Sequence, residues 1–215
     1  MDIIWFGQAM FKLKGKQTQA IIDPFYSEFT GLKLPKPSEL IADLALKTHD
    51  HEDHSNLKAI EGNSVKIEGP GEYEVKGVAV TGVSVFHDSK NGEERGRNTV
   101  YNIEIDGVSV LHLGDLGHTL TQEQLEEIGP VDIVLIPVGG TYTIDAPVAA
   151  QVVSQLEPKI VIPMHFKIDG LKFPLDGVDL FLKEMGVGSI EPQNKFSITK
   201  DKLPDETQVI VLNKV

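Results

Sequence analysis

Short apolar segments, broken by polar residues and glycine, dominate the first half of the chain and read as strands. "DIIWFG" (2–7) and "MFKLKG" (10–15) predict two strands about a short break. "TQAIIDP" (18–24) predicts a third, running into a loop over 25–39 where Pro35 and Pro37 interrupt regular structure. "DLALKT" (43–48), "SVKIEG" (64–69), "GEYEVKG" (71–77) and "VAVTGVSVF" (78–86) follow as short strands. The run from Thr99 to Asp115 reads as a hairpin with Asp106-Gly107 as its two-residue turn. Helices enter in the second half. "TQEQLEEIG" (121–129) opens with Thr121 and Gln124 in capping-box spacing. "DAPVAAQVVSQLEP" (145–158) has Asp145 as N-cap and Pro147 in its first turn. A third helix is predicted from Asp176 to about Gly186. The unbroken apolar runs "VDIVLIPV" (131–138) and "KIVIPM" (159–164) suit strands covered on both faces, and the tail adds two more strands. Helices against largely buried sheets predict an α/β layered fold, with residues 1–215 forming a single domain.

Polar residues with ligand chemistry sit where these strands end. "QAII" runs into Asp23, and "LALKT" runs into His49, His51, Asp53 and His54. "VSVF" ends at His87, "VSVLHLG" at Asp115 and "KIVIPM" at His165. Strand ends hold functional loops on a rigid sheet, so a shared edge would bring these side chains to one spot. Seven ligand-type residues suit two divalent ions better than one. His49 and His51, projecting the same way from an extended segment, could bind one ion with His87. Asp53 and His54 could serve a second with His165, and the two oxygens of Asp115 could bridge the pair. Water held there would have its pKa lowered to about 7, giving a nucleophile at neutral pH with Lewis acids beside it. The plainer alternatives are a solvated charged turn at 49–54, a core histidine at 165 and a turn-forming aspartate at 115. Asp23 fits either a turn before Pro24 or an acid orienting a ligand from behind. Asp50 and Glu52 should face solvent, and His112, inside a strand, should be structural. His118, close to Asp115, is a further candidate for that second layer.

Composition narrows the function classes. There is no cysteine, which removes disulfides and thiolate ligands, and no serine stands in a nucleophile-elbow context. The formal net charge is -12, with only two arginines and scattered lysines, so a nucleic-acid partner is not expected. No apolar run approaches the roughly 20 residues of a membrane span, and the first residues do not read as a signal peptide. A cytoplasmic location is the expectation, with homo-oligomerisation left open. The expected partner is a small-molecule substrate, anionic if Arg95, Arg97 and Asn98 hold it. Thr141 and Tyr142, after Gly139-Gly140, are further substrate-contact candidates, the alternative being ordinary loop positions.

"HDHEDH" (49–54) resembles the His-x-His-x-Asp-His motif of the metallo-β-lactamase superfamily. The order Asp23, the histidine cluster, His87, Asp115 and His165 is similar to that superfamily's five motifs, across roughly residues 2–170. The resemblance implies an αββα sandwich, two mixed β-sheets flanked by helices, with a dinuclear metal site at one edge. By the same resemblance His49, His51 and His87 hold one metal, Asp53, His54 and His165 the other, and Asp115 lies between them. Zn²⁺ is the expected metal, with Mn²⁺ and Fe²⁺ accepting the same ligands. "VFHDSKNGEERGRNTVYNIEIDGVSVLHLGDLGH" and "PVGGTYTID" look like the short Zn-dependent hydrolase branch that also contains the L-ascorbate 6-phosphate lactonases. That branch often has histidine after the first glycine, where "WFGQA" has Gln8. The implied activity is hydrolysis of a phosphodiester, lactone or related acyl bond, with Asp53 and Asp115 at the reacting centre. The rival readings are a metal-binding or sensing protein of the same fold and a di-iron redox protein.

Overall fold

The computed structural model describes all 215 residues and contains two mixed β-sheets packed face to face. The first sheet contains β1 (Asp2–Gly7), β2 (Met10–Lys14), β3 (Gln19–Ile22), β4 (Leu44–Leu46), β5 (Val65–Ile67) and β12 (Phe196–Ser197), in the order β12-β1-β2-β3-β4-β5. Its β1–β2 and β2–β3 pairs are antiparallel, and its β3–β4 and β4–β5 pairs are parallel. The second sheet contains β6 (Gly71–Val75), β7 (Val78–Phe86), β8 (Arg97–Ile105), β9 (Val108–His112), β10 (Ile133–Pro137), β11 (Ile160–Met164) and β13 (Gln208–Val209), in the order β13-β11-β10-β9-β8-β7-β6. Antiparallel pairing from β6 to β9 gives way to parallel pairing from β9 through β13.

Burial follows the expected pattern. Every residue of β10 and β11 is buried, because the opposite sheet covers one face and helices the other. Those helices are α2 (Gln122–Ile128), α3 (Ala146–Leu156) and α4 (Val178–Glu184). Both halves of the Thr121–Gln124 capping box form, and Asp145 accepts from the Val148 N–H. A core of 47 residues fills the space between the sheets, with Trp5, Phe11 and Tyr101, and continues under the helices of the second sheet, where Phe181 of α4 packs. A second cluster of ten, including Phe6, Met10, Phe25 and Leu57, lies under the outer face of the first sheet. Its cover is the segment between β3 and β5, which holds the short helix α1 (Ser27–Thr30) and 3₁₀ turns. The outer layer on that side is therefore thinner than the helices opposite it. The Asp106-Gly107 turn forms as predicted, both residues at positive φ (54° and 76°), as a type I′ hairpin requires.

Two expectations shift. The third helix begins at Val178, capped by Gly177, because Asp176 is committed to the preceding loop. Its N–H donates to the Gly139 carbonyl and its carbonyl accepts from the Lys167 N–H. The loop over 25–39 is not wholly irregular, since α1 forms within it and Gly31, at φ 82°, ends it. No helix is long and apolar enough to cross a membrane.

Candidate metal centre

The parallel relationships fix where the polar residues go. β3 and β4 run parallel in one sheet, while β7, β9 and β11 share a direction in the other. Their carboxyl ends meet at one edge of the sandwich. Asp23 directly follows β3, His87 directly follows β7 and His165 directly follows β11. His49, His51, Asp53 and His54 come from the turn after β4, and Asp115 comes three residues after β9. His49 and His51 lie in a bend rather than an extended segment, with the His54 N–H closing a turn onto the His51 carbonyl. Curvature aims both rings inward: His49 Nε2 and His51 Nδ1 are 3.0 Å apart.

The side chains form two donor sets, His49–His51–His87 and Asp53–His54–Asp115–His165, each within 4.8 Å across its ligand atoms. Asp115 lies between them. Its Oδ2 is 3.1 Å from His87 Nε2 and 3.9 Å from His49 Nε2. Its Oδ1 is 3.2 Å from His54 Nε2 and 3.4 Å from His165 Nε2. Asp53 Oδ2 completes the second set, 3.4 Å from His54 Nε2 and 3.9 Å from His165 Nε2. The edge of a tetrahedron with bonds of about 2.1 Å is about 3.4 Å, so these spacings fit donors arranged around small cations.

The donor chemistry fits as well. Five buried side-chain polar atoms in the chain lack a hydrogen-bond partner, and all belong to this region: Gln8 Oε1, His54 Nε2, His87 Nδ1, Asp115 Oδ1 and His165 Nδ1. His54 Nδ1 engages Asp23 Oδ2 at 2.7 Å, which leaves Nε2 free to face Asp115 and Asp53. A buried nitrogen lone pair opposite two carboxylates needs positive charge between them, from a proton or a metal. Burial pushes the His49 pKa down to about 2, keeping its imidazole neutral and able to ligate. Burial also opposes charge on His54, but Asp115, Asp53 and Asp23 outweigh it and raise its pKa well above 6.5. In the ion-free fold His54 therefore keeps its proton at neutral pH and loses it only as pH rises through the elevated value. Zn²⁺ binding at pH 7 is accordingly expected to release protons, with affinity falling as pH drops. Calorimetry in two buffers of different ionisation heat reads this directly; identical heats would contradict it.

A second layer holds the donors in place. Asp23 Oδ1 accepts from the Thr48 N–H at 2.7 Å, while its Oδ2 accepts from Thr48 Oγ1 at 2.8 Å and meets His54. Asp23 and His165 both adopt φ 51° and Gln8 φ 52°, positive angles that cost non-glycine residues energy and cluster at functional sites. Asp23→Asn is expected to weaken metal binding by about 10–100-fold without unfolding the chain, because it disturbs the His54 tautomer. A competitive chelator titration measures that loss. Gln8, noted in the sequence only as a departure from its relatives' pattern, donates from Nε2 to Asp53 Oδ2 at 2.9 Å. Its carbonyl accepts from the His165 N–H at 3.0 Å, so one residue steadies two donors from opposite sheets. Two glycines permit the crowding: a Cβ on Gly117 would meet the Asp88 nitrogen at 2.2 Å, and one on Gly139 the His165 carbonyl at 2.1 Å.

The remaining histidines lie outside the donor sets. His112 is fully buried, with Nε2 on the Ala9 carbonyl and Nδ1 accepting from the Gly114 N–H. His118 lies one link from the site and accepts from the N–H of Phe86, the residue before His87. Asp50 and Glu52 are exposed at the rim.

A cavity of about 400 Å³ opens over the donors. Arg95 and Tyr142 line it. Arg97 lines a neighbouring cleft instead. Asn98 is not positioned to touch a substrate: it is 1% exposed, with Nδ2 on the Leu113 carbonyl and Oδ1 accepting from the Asp115 N–H. Sequence proximity to His87 is misleading here, because β8 carries Asn98 inward as a clamp on the Asp115 loop. The Thr141 hydroxyl donates to the Pro174 carbonyl, and its own carbonyl holds Arg95.

Comparison with known proteins agrees with this architecture. Residues 2–165 match the Beta-lactamase superfamily domain. A UPF0173 metal-dependent hydrolase of Thermoplasma acidophilum is 33% identical over 189 residues, covering 77% of this chain and 83% of its own. Another from Thermococcus onnurineus is 35% identical over 193 residues, covering 77% and 84%. Among solved structures, a Thermotoga maritima protein proposed as a Zn-dependent hydrolase of the metallo-β-lactamase superfamily is 40% identical, with a TM-score of 0.80 over 98% of this chain and 97% of its own. Fold, site and relatives together define a metal-dependent hydrolase. The chain belongs to the metallo-β-lactamase superfamily, with residues positioned to bind metal at the edge of its sandwich.

Proposed function

We propose that the protein carries two divalent cations, Zn²⁺ first among the candidates, and hydrolyses an ester-like bond in a small molecule: a phosphodiester, a lactone or a related acyl compound. His49, His51 and His87 would hold one ion and Asp53, His54 and His165 the other, with one oxygen of Asp115 toward each. The observation that carries this reading is the placement of Asp115, whose two oxygens face separate donor sets. Bound there, the cations would supply Lewis acidity and a water-derived nucleophile at neutral pH. The chain's own residues do the rest. Asp23 fixes the His54 ring, and Gln8 holds the Asp53 carboxylate. Burial favours the neutral form of Asp53, but the charge of the neighbouring His54 outweighs it and holds the group ionised. Asp53 also lines the cavity, so its carboxylate is placed to accept a proton near the reacting atoms. The test is elemental analysis of purified protein, then turnover of phosphodiester and lactone panels with Zn²⁺, Mn²⁺ or Fe²⁺. Fewer than two ions per chain, or metal-loaded protein without turnover on either panel, would contradict the proposal.

A further inference from the structure

The cavity has a built recognition wall that the metal donors do not explain. Phe29, from α1, is 40% exposed and stands at the opening. Its ring meets Phe173 edge to face at 5.4 Å, and Phe173 meets Tyr142 the same way at 6.0 Å. A single exposed phenylalanine needs no explanation. Three rings from three separate connections, joined edge to face around one opening, do.

Arg95 completes the wall. Its guanidinium lies 5.8 Å from the Tyr142 ring centroid, and Nη2 donates to the Thr141 carbonyl at 3.3 Å. It is the sole lysine or arginine lining the cavity, whose rim otherwise carries Asp50 and Glu52. The loop that presents it is tied down. The Asp88 carboxylate accepts from the backbone N–H groups of Lys90, Gly92, Glu94 and Arg95 at 2.8–3.1 Å. The arginine thus has a fixed origin beside His87.

Resting on the hydrolase reading, we infer that the substrate carries an aryl-sized apolar group and one negative charge. Phe29, Phe173 and Tyr142 take the apolar group, and Arg95 takes the charge. A polyanion is disfavoured by the acidic rim, and a purely polar substrate would leave the ring wall without a partner. At about 400 Å³ the space suits a small molecule.

Calorimetry with phenylphosphonate and methylphosphonate on the Zn²⁺-loaded protein tests this, since the probes share a head group and differ in the apolar part. The phenyl probe is expected to bind about tenfold tighter, from the extra apolar area buried. Phe29→Ala combined with Phe173→Ala should bring that ratio to within about threefold, at unchanged zinc content. Arg95→Met should weaken both probes by about tenfold and leave their ratio intact. A wild-type ratio near one, binding of neither probe, or a ratio surviving the double substitution would each overturn the inference. Turnover of esters without preference for aryl groups would also overturn it while leaving the hydrolase reading standing. Probe discrimination with no turnover on any panel would do the reverse.

Discussion

Asp115→Ala is expected to strip both ions from the site and lower hydrolysis by on the order of a thousandfold, comparable to losing a principal electrostatic element of an active site. Two properties make this residue more costly than any single histidine. It faces both donor sets, with His87 and His49 beyond Oδ2 and His54 and His165 beyond Oδ1. Its pKa is also held well below 3.8: burial would raise it, but His165 and His54 outweigh that. Alanine therefore removes a permanent negative charge from among five imidazoles. Replacing His51, exposed at the edge of its set, should cost less and spare the second ion. Metal content is the readout that matters. Two ions retained in the alanine variant would show that Asp115 does not join the sets.

Chelation of both ions, each present at about a thousandfold its Kd, is expected to lower the melting temperature by about 20 °C. A ligand at a thousandfold its Kd stabilises the folded state by about 4 kcal/mol. For a chain of 215 residues, each kcal/mol corresponds to roughly 2–4 °C. The architecture explains why the effect should be global. Asp53, His54, His49 and His51 hang from the first sheet, and His87, Asp115 and His165 from the second. Few other polar links cross the sandwich at this edge: Thr99 N–H to the Thr48 carbonyl, His165 N–H to the Gln8 carbonyl, His112 Nε2 to the Ala9 carbonyl, and the Tyr101 hydroxyl to the Lys47 carbonyl. Scanning calorimetry with and without chelator measures the shift, and a change below about 2 °C would argue that the ions do not join the sheets.

Much of this was legible in sequence because it is local. The Asp106-Gly107 turn, the Thr121–Gln124 box and the apolar runs ending in histidine or aspartate each depend on neighbours along the chain. Their meeting at one edge follows from parallel pairing, which long apolar runs such as 131–138 already imply. What could not be read depends on pairs distant in sequence. Gln8 reaches Asp53 across 45 positions, and its only local signal was its place in "WFGQA". Phe29 lies in α1 and Phe173 in the connection between β11 and α4, and neither belongs to a motif. Asn98 looked like a ligand contact because sequence distance from His87 says nothing about which face of β8 it occupies. Asp88 is different: its carboxylate gathers four amides only two to seven positions ahead, a local pattern that no motif marks.

That knot of amides has a consequence for diversification. The arginine that would take a substrate's charge sits on a loop tied off by its own hydrogen bonds, while the chemistry is anchored in the strand termini beneath. Exchanging Phe29, Tyr142 or Phe173 should leave the cation-gripping framework undisturbed, so selectivity could drift or be engineered as an independent module.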